Sequence, residues 1–423
     1  MTNEIIKHKI QHNLRRIRTS VKWVIFAVIS GITVGLIGTL FYFCMAKVTQ
    51  LRMAHPWILA FLPLGGILIV GAYRLLHDEN DTGTNLVISS IHSGDELPLR
   101  MAPLIFVSTL ITHLFGGSAG REGAALQLGG SIGSEIGKLF HFDEKDKHVM
   151  TMCGMSAAFS ALFGTPMAAA IFSMEVVSVG IMHYAALVPC VVASLIAFSI
   201  ASAFGAEAEI FPLQEIPSFT VGSAVKISGL AILCALVSIL FCVLLHQSEH
   251  LYKKFLGNPY IRILAGGGIV IVLTLLAGNA GNQPYNGSGI DIVARCMEGN
   301  VSWEMFLLKM LFTAVTLGAG FKGGEIVPSF SIGAAFGCLF GSLIGFSPQL
   351  CTAVGMTAVF CGVTNCPITS LLISFELFGY TGMPYFLLTI AFSYMLSGYY
   401  GLYHSQKIMY SKYKTNFINK KAE

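Results

Sequence analysis

Apolar runs follow one another along almost the whole of this chain, at about 21–49, 56–76, 101–117, 150–175, 182–205, 223–246, 262–280, 305–320, 327–345, 350–375 and 383–403. Each meets or approaches the roughly 20 residues that carry a helix across a bilayer. In hydrocarbon the backbone amides and carbonyls have to be satisfied within the segment, so such runs fold as helices. The reading is an all-α polytopic membrane protein with ten or more crossing or re-entrant segments. The sparse charge agrees, since only 11% of the 423 residues are charged and 54% are hydrophobic.

Lysine and arginine gather at the ends. Lys7, Lys9, Arg15, Arg16 and Arg18 precede the first run, and Lys407, Lys412, Lys414, Lys420 and Lys421 follow the last. Basic flanks stay on the cytoplasmic side, which predicts both termini inside a cell membrane. The expected organisation is a cytoplasmic segment 1–20, membrane repeats 21–205 and 206–405, and a short cytoplasmic tail 406–423. The first run is too long for a cleavable signal peptide and lacks a small-residue cleavage site. No continuous basic patch accompanies the net charge of +4, so nucleic acid is not an expected partner.

The division into repeats rests on an internal likeness. The stretch 154-GMSAAFSALFGTPMAAAIFSMEVV-177 resembles 355-GMTAVFCGVTNCPITSLLISFELF-378 at a constant offset of 201. That offset matches Gly154 with Gly355, Pro166 with Pro367 and Glu175 with Glu376. The same offset lays 120-GREGAALQLGGSIG-133 over 321-FKGGEIVPSFSIGA-334. Two such halves in one membrane chain point to an internal-repeat transporter, with its binding site where interrupted helices of both halves meet. Glycines alone would only allow close helix packing. Ionisable residues inside the glycine turns go further, because buried charge in a membrane is costly and marks a pathway.

A helix that begins inside the membrane leaves its first amides unpaired at the positive end of its dipole, which makes an anion site without a basic side chain. Gly120 and Gly123 permit a tight turn, after which AALQLGGSIG reads as helix. In the second half Gly323 and Gly324 turn the chain, and Pro328 fits the first turn of a helix through SFSIGAAFG. Glu122 can fill the donor-rich spot when ionised and leave it when protonated. Its blander reading is a helix-start carboxylate satisfied by its own amides. Arg121 is expected to keep the entrance electropositive.

Other polar residues carry quieter readings. The ten cysteines lie mostly in apolar runs without metal-ligand spacing, Cys361 and Cys366 being the nearest pair, and are expected to pack as small hydrophobes. His113 is read as a core histidine, and Glu175 and Glu376 as pairing with backbone or a basic neighbour. The mixed loop 141-HFDEKDKH-148 is read as a solvated turn. No H-E-x-x-H, metal-spaced Cys/His cluster or phosphate loop is found, so neither an enzyme nor a cofactor or metal is expected.

At the glycine turns the chain resembles the CLC family of anion channels and anion/proton antiporters. The motif G-(K/R)-E-G stands as Gly120-Arg121-Glu122-Gly123, and G-x-x-x-P as Gly324-Glu325-Ile326-Val327-Pro328. The likeness runs from about residue 20 to about residue 405. It implies a homodimer with one pore per subunit and about eighteen helices in two inverted halves; the regulatory domains that some members append are not expected, because only about twenty residues follow the last helix. It also assigns roles: Glu122 as the external gating glutamate, the amides of Glu325 and Ile326 as ligands of the central anion, and Tyr403 as the pore tyrosine.

Three departures bear on the ion carried. The G-S-G-x-P motif of chloride-selective members is missing, and 82-TGTNL-86 offers Thr84 in place of its serine. Glu325 replaces an apolar residue. Val176 stands where chloride/proton exchangers often carry an inner glutamate. This combination resembles the bacterial fluoride/proton antiporter branch, although Thr84 is not that branch's usual methionine and Val327 is not its threonine. The resemblance implies fluoride export coupled to proton entry, with a chloride channel or chloride/proton exchanger as the alternative. Dense donors suit a small hydrated anion: hydroxyls of Thr84 and Tyr403 and the amides at Gly120, Gly123 and Gly324. Glu325 is either a second proton site or filter, or a side chain turned away to cap or to pair with Lys322.

Overall fold

A computed structural model describes residues 2–79, 81–214, 216–278, 281 and 283–423, with side chains from His12 onward except Arg15. The basic residues Lys7, Lys9 and Arg15 that predict a cytoplasmic N-terminus therefore lie outside the described side chains.

Sixteen α-helices form among the described residues and fall into two sets of eight. The first set is α1 (Thr2–Ala54), α2 (Leu62–Leu75), α3 (Thr84–Ser93), α4 (Met101–Leu114), α5 (Glu122–Leu139), α6 (Glu144–Phe163), α7 (Pro166–Glu175) and α8 (Leu187–Ala203). The second is α9 (Val221–Phe255), α10 (Pro259–Leu276), α11 (Ile290–Met297), α12 (Met305–Gly318), α13 (Ile326–Leu343), α14 (Pro348–Thr364), α15 (Pro367–Phe378) and α16 (Met383–Leu396). Short 3-10 helices at Pro56–Phe61 and Tyr184–Ala186 bring the helical elements to eighteen. Six helical segments among the described residues are long and apolar enough to cross a bilayer, and five shorter apolar helices accompany them.

Local chemistry sets the boundaries in both halves alike. Asp143 caps α6 by accepting from the Asp146 amide at 2.8 Å, and Ser347 caps α14 through the Leu350 amide. Both helices end on a left-handed residue, Gly164 in one and Asn365 in the other, and Pro166 and Pro367 then open α7 and α15. The halves are also cross-linked reciprocally. Glu175 at the end of α7 accepts from the Ile368 and Thr369 amides that start α15, at 3.0 and 2.8 Å. Glu376 in α15 accepts from the Met167 and Ala168 amides that start α7, at 2.8 and 2.9 Å. Contacts that exchange in this way relate the two helices by a local two-fold axis, and they give both glutamates the backbone partners expected of them.

The repeat does not keep one offset. Helices α5 and α13 begin after Arg121 and Glu325, and Gly120 pairs with Gly324, so the offset there is 204. It becomes 201 only at Gly154 and Gly355, because α6 has 20 residues and α14 has 17. The extra residues at the start of α6 correct the constant-offset alignment. Glu122 consequently corresponds to Ile326, and Glu325 to Arg121.

The central helices α5, α6, α13 and α14 are buried over nearly their whole length. Their backbones touch: a Cβ on Gly154 would stand 2.0 Å from the Gly129 carbonyl oxygen, and one on Gly355 2.5 Å from that of Gly333. Serines stitch α6 to α8, with Ser156 donating to the Cys190 carbonyl at 2.9 Å and Ser160 to that of Ser194 at 2.8 Å. Gly154→Val is expected to cost more than the about 1–3 kcal/mol of ordinary overpacking, since backbone cannot rotate aside. Loss of the monodisperse peak in detergent gel filtration checks it; an unchanged peak and melting temperature would contradict the packing described.

A three-stranded sheet adds to the helical architecture. β1 (Ser178–Val179) lies parallel to β2 (Lys407–Tyr410), which is antiparallel to β3 (Phe417–Lys421). Residues 406–423 are thus folded onto the loop after α7, and the Glu423 amide donates to the Tyr399 carbonyl at 2.9 Å. Nine of the ten cysteines are buried and all ten are unpaired thiols.

Candidate functional site

The two glycine turns meet. The Gly120 amide donates to the Gly324 carbonyl at 2.6 Å and the Gly324 amide to that of Gly120 at 2.8 Å. No side chain fits between the strands at this point, since a Cβ on Gly324 would lie 2.5 Å from the Gly123 nitrogen. From this bridge α5 and α13 leave with their N-termini adjacent. The first intrahelical bonds run from Ala125 to Arg121 and from Ser329 to Glu325. The amides upstream of these, in Gly123 and Ala124 and in Ile326 and Val327, belong to the helix starts, where the peptide dipoles favour an anion.

Glu122 is wholly buried. Its Oε2 accepts from the Arg121 amide at 3.0 Å, so the carboxylate does take a helix-start donor, while its Oε1 has no hydrogen-bond partner. Arg121 is no free cation. Its Nη2 donates to Glu209 Oε1 at 2.8 Å, its Nε stands 3.5 Å from Glu122 Oε1, and its guanidinium lies 5.2 Å from the centre of the Tyr42 ring. One guanidinium thus stands between two carboxylates, so Arg121 does not make its surroundings simply electropositive, as the sequence suggested.

Glu325 lies on the other side of the turn. Its Oε2 is buried without a hydrogen-bond partner and would stand 3.3 Å from a Cβ on Gly123, with Thr84 Oγ1 at 3.4 Å from the same point. It does not pair with Lys322, which is bound to Asp81 at 2.9 Å. That Asp81 carboxylate also accepts from the Gly83 amide, at 2.8 Å, and holds the left-handed turn before α3. Thr84 is buried; its hydroxyl lies 3.4 Å from the Gly123 carbonyl and accepts from Gln127 Nε2 at 3.2 Å. The Tyr403 ring is buried too, its hydroxyl has no hydrogen-bond partner, and it lies within electrostatic reach of both Glu325 and Glu122. The joined turns thus bring Gly120, Glu122, Gly123, Gly324, Glu325 and Thr84 together, with Arg121 and Ile326 adjoining them in the chain and Tyr403 within electrostatic reach.

A cavity of about 1190 Å³ opens on the Glu325 side and includes Thr84, Asp81, Lys322, Glu249 and His404 in its wall. Glu122 and Tyr403 are not part of that wall. Arg121 is not part of it either. Tyr42, which covers Arg121, and Lys22, which pairs with Asp146 at 2.6 Å, are both on α1 and about 30 Å apart at about 1.5 Å per residue.

Sequence reasoning missed Glu209, Gln127, Asp81 and Lys309. Lys309 is fully buried in α12, where its ammonium donates to Ser118 Oγ and to the Tyr285 and Gly287 carbonyls at 2.9, 3.2 and 2.8 Å. These bonds fasten the loop before α11 to the segment before Gly120. A lone lysine inside an apolar run was the signal that could have found it. His113 accords with its reading as a core residue, with Nδ1 2.9 Å from the Thr109 carbonyl.

The family described as voltage gated chloride channel matches residues 65–398. The "Chloride/fluoride channel protein" of Pseudomonas syringae pv. tomato is 33% identical over 417 residues, which cover 98% of this chain and 92% of that protein. The H(+)/Cl(-) exchange transporter of Yersinia pestis is 24% identical over 399 residues, 87% of this chain and 82% of that one. A crystal structure of a CLC-type fluoride/proton antiporter superposes with a TM-score of 0.87 at 30% identity, over 91% of this chain and 98% of that one. A slow cyanobacterial Cl-/H+ antiporter shares the fold, with a TM-score of 0.75 at 20% identity over 89% and 94% of the two chains.

Proposed function

The chain belongs to the voltage-gated chloride channel family, and on that premise we propose that it is a secondary transporter exporting fluoride in exchange for protons. One observation carries the reading: two carboxylates, Glu122 and Glu325, each present a buried oxygen that accepts no hydrogen bond, on either side of a joined pair of helix starts. Ionised groups left so in a membrane are costly unless an ion or a proton visits them.

Fluoride enters from the cavity wall at Thr84 and Glu325 and sheds water against the helix-start amides and the hydroxyls of Thr84 and Tyr403. Glu122, ionised, competes for the same donors; protonated, it gives them up. A proton taken from the Arg121 end thereby opens the path to an anion leaving toward that end. Glu325 receives the proton at the inner end, where no glutamate stands at Val176. The halide branch to which the relatives' names belong supports fluoride, and so does the crowding of donors around a small anion.

With the basic N-terminus cytoplasmic, the position of Tyr42 in the later part of α1 puts Glu122 nearer the outer face and the cavity nearer the cytoplasm. The tail then lies inside, the boundary between membrane repeats falls near residue 205, and the protein resides in the cell membrane as a homodimer with one path per subunit. Neither catalysis nor a resident cofactor belongs to this reading.

Efflux of fluoride and of chloride from liposomes reconstituted with the protein tests the choice of ion. Fluoride is expected to leave at least about tenfold faster than chloride, a difference of about 1.4 kcal/mol in the barrier. Equal or faster chloride efflux would replace the reading with a chloride channel or exchanger.

A further inference from the structure

The gate carboxylate has a neighbour that the reaction does not require. Glu209 lies on the segment between α8 and α9, far from Arg121 in sequence, yet it receives the shortest bond the Arg121 guanidinium makes to a carboxylate, 2.8 Å against 3.5 Å to Glu122. The segment is fixed there by its own contacts: the Tyr42 hydroxyl lies 3.5 Å from the Glu207 carbonyl and 3.4 Å from the Glu207 amide, while the Tyr42 ring covers Arg121. The side chains of Arg121 and Glu209 are 15% and 22% exposed while Glu122 is wholly buried, and Glu209 Oε2, like Glu122 Oε1, is buried without a hydrogen-bond partner.

We infer that Glu209 is a positioning residue for the gate: it holds the Arg121 guanidinium off the Glu122 carboxylate, leaving Glu122 free to accept a proton and move. One guanidinium offers a strong two-point bond to a single carboxylate. Were both of its arms on Glu122, the gate would be ionised and anchored. Drawn to Glu209, it leaves Glu122 Oε1 without a hydrogen bond, as observed. The three groups together carry a net charge of −1 with both carboxylates ionised and are neutral with one proton bound, so the cluster accommodates the single proton that the cycle needs. Among the described residues, the other ionisable groups in reach of this cluster are Tyr42 from α1, Tyr403 from the loop after α16, His113 from α4 and Asp291 from the start of α11, with Glu325 beside Gly123 at the start of α13. This inference rests on Glu122 being the gate.

Fluoride efflux from liposomes, measured against external pH, tests it. In Glu209→Gln the guanidinium falls to Glu122, and the midpoint of the pH profile is expected to move to lower pH by about one unit or more, the scale of a neighbouring opposite charge. Arg121→Gln is expected to move it to higher pH. Because Glu209 acts through Arg121, adding Glu209→Gln to Arg121→Gln is expected to move the midpoint by less than half as much as in the wild-type background. Glu209→Asp keeps the charge but shortens the reach, is expected to shift the midpoint the same way by less, and decides the matter if the glutamine variant does not assemble. A lower rate with an unmoved midpoint would reduce Glu209 to a scaffold and overturn the inference, as would a full shift retained without Arg121. The Glu122→Gln profile keeps the two claims apart: if it still titrates as the wild type does, the gate assignment fails, whereas a flat profile there with no shift in Glu209→Gln removes only the role of Glu209.

Discussion

Glu122→Gln is expected to abolish proton movement while leaving a route for fluoride. Glutamine keeps the size of the buried side chain and stands permanently in for the neutral acid. It neither releases a proton nor competes as an anion for the helix-start donors around Gly123 and Ile326. Proton flux driven by a fluoride gradient should fall on the order of a hundredfold or more, as when a general acid or base is removed. Fluoride efflux should persist and lose its dependence on external pH. Paired recordings of fluoride and proton flux from the same liposomes check this; a variant that keeps wild-type coupling would remove Glu122 from the mechanism.

The second large effect is expected at Glu325. Its free Oε2 faces Gly123 and Thr84, and Lys322, three residues before it in the chain, is taken by Asp81. An unpaired carboxylate at the inner end of the path, opening on the cavity, suits a proton site better than a structural cap. Glu325→Gln should therefore slow coupled exchange on the order of a hundredfold without lowering the melting temperature, since no hydrogen bond of Oε2 is lost. A variant that melts well below the wild type yet still exchanges at its rate would assign Glu325 to the scaffold. Asp81→Asn offers the contrast. It breaks the 2.9 Å pair with Lys322 that joins the two halves, and it should lower stability by less than the about 3–5 kcal/mol of a fully buried pair, because Lys322 is part-exposed in the cavity wall.

Much of the fold was legible because the membrane leaves few choices for an apolar run. What escaped was short. The run at 150–175 contains two helices, α6 and α7, separated only by Gly164 and Thr165, and the run at 350–375 contains α14 and α15 divided at Asn365 and Cys366. Breaks of two residues do not lower the hydropathy of a window of about 20 residues, so hydropathy alone merges them, although the Gly…Pro…Glu pattern with Pro166 and Pro367 marked each stretch as a helix pair. The helices α3 and α11 are too short and polar to read as spans. The strands of the tail escaped because two or three pairs of residues leave no pattern.

The site was legible to the extent that backbone geometry makes it. Glycines beside an acidic residue, followed by helix, announce an interrupted helix start, and both starts were placed correctly. Which residues of the two starts correspond was not, because three residues inserted in α6 are invisible until the two helices are superposed. Partners joined across the fold were also hidden. Nothing local connects Glu209 to Arg121 or Asp81 to Lys322, and the adjacency of Lys322 and Glu325 in sequence suggested a pair that the structure does not form.

The most direct test of the central claim is whether a fluoride gradient alone moves protons uphill. Liposomes loaded with fluoride at equal internal and external pH, with the membrane potential clamped, should alkalinise the outside as fluoride leaves and protons enter, until the proton gradient opposes the fluoride gradient. Fluoride efflux with no change in external pH would contradict the account and make the protein a passive anion pathway.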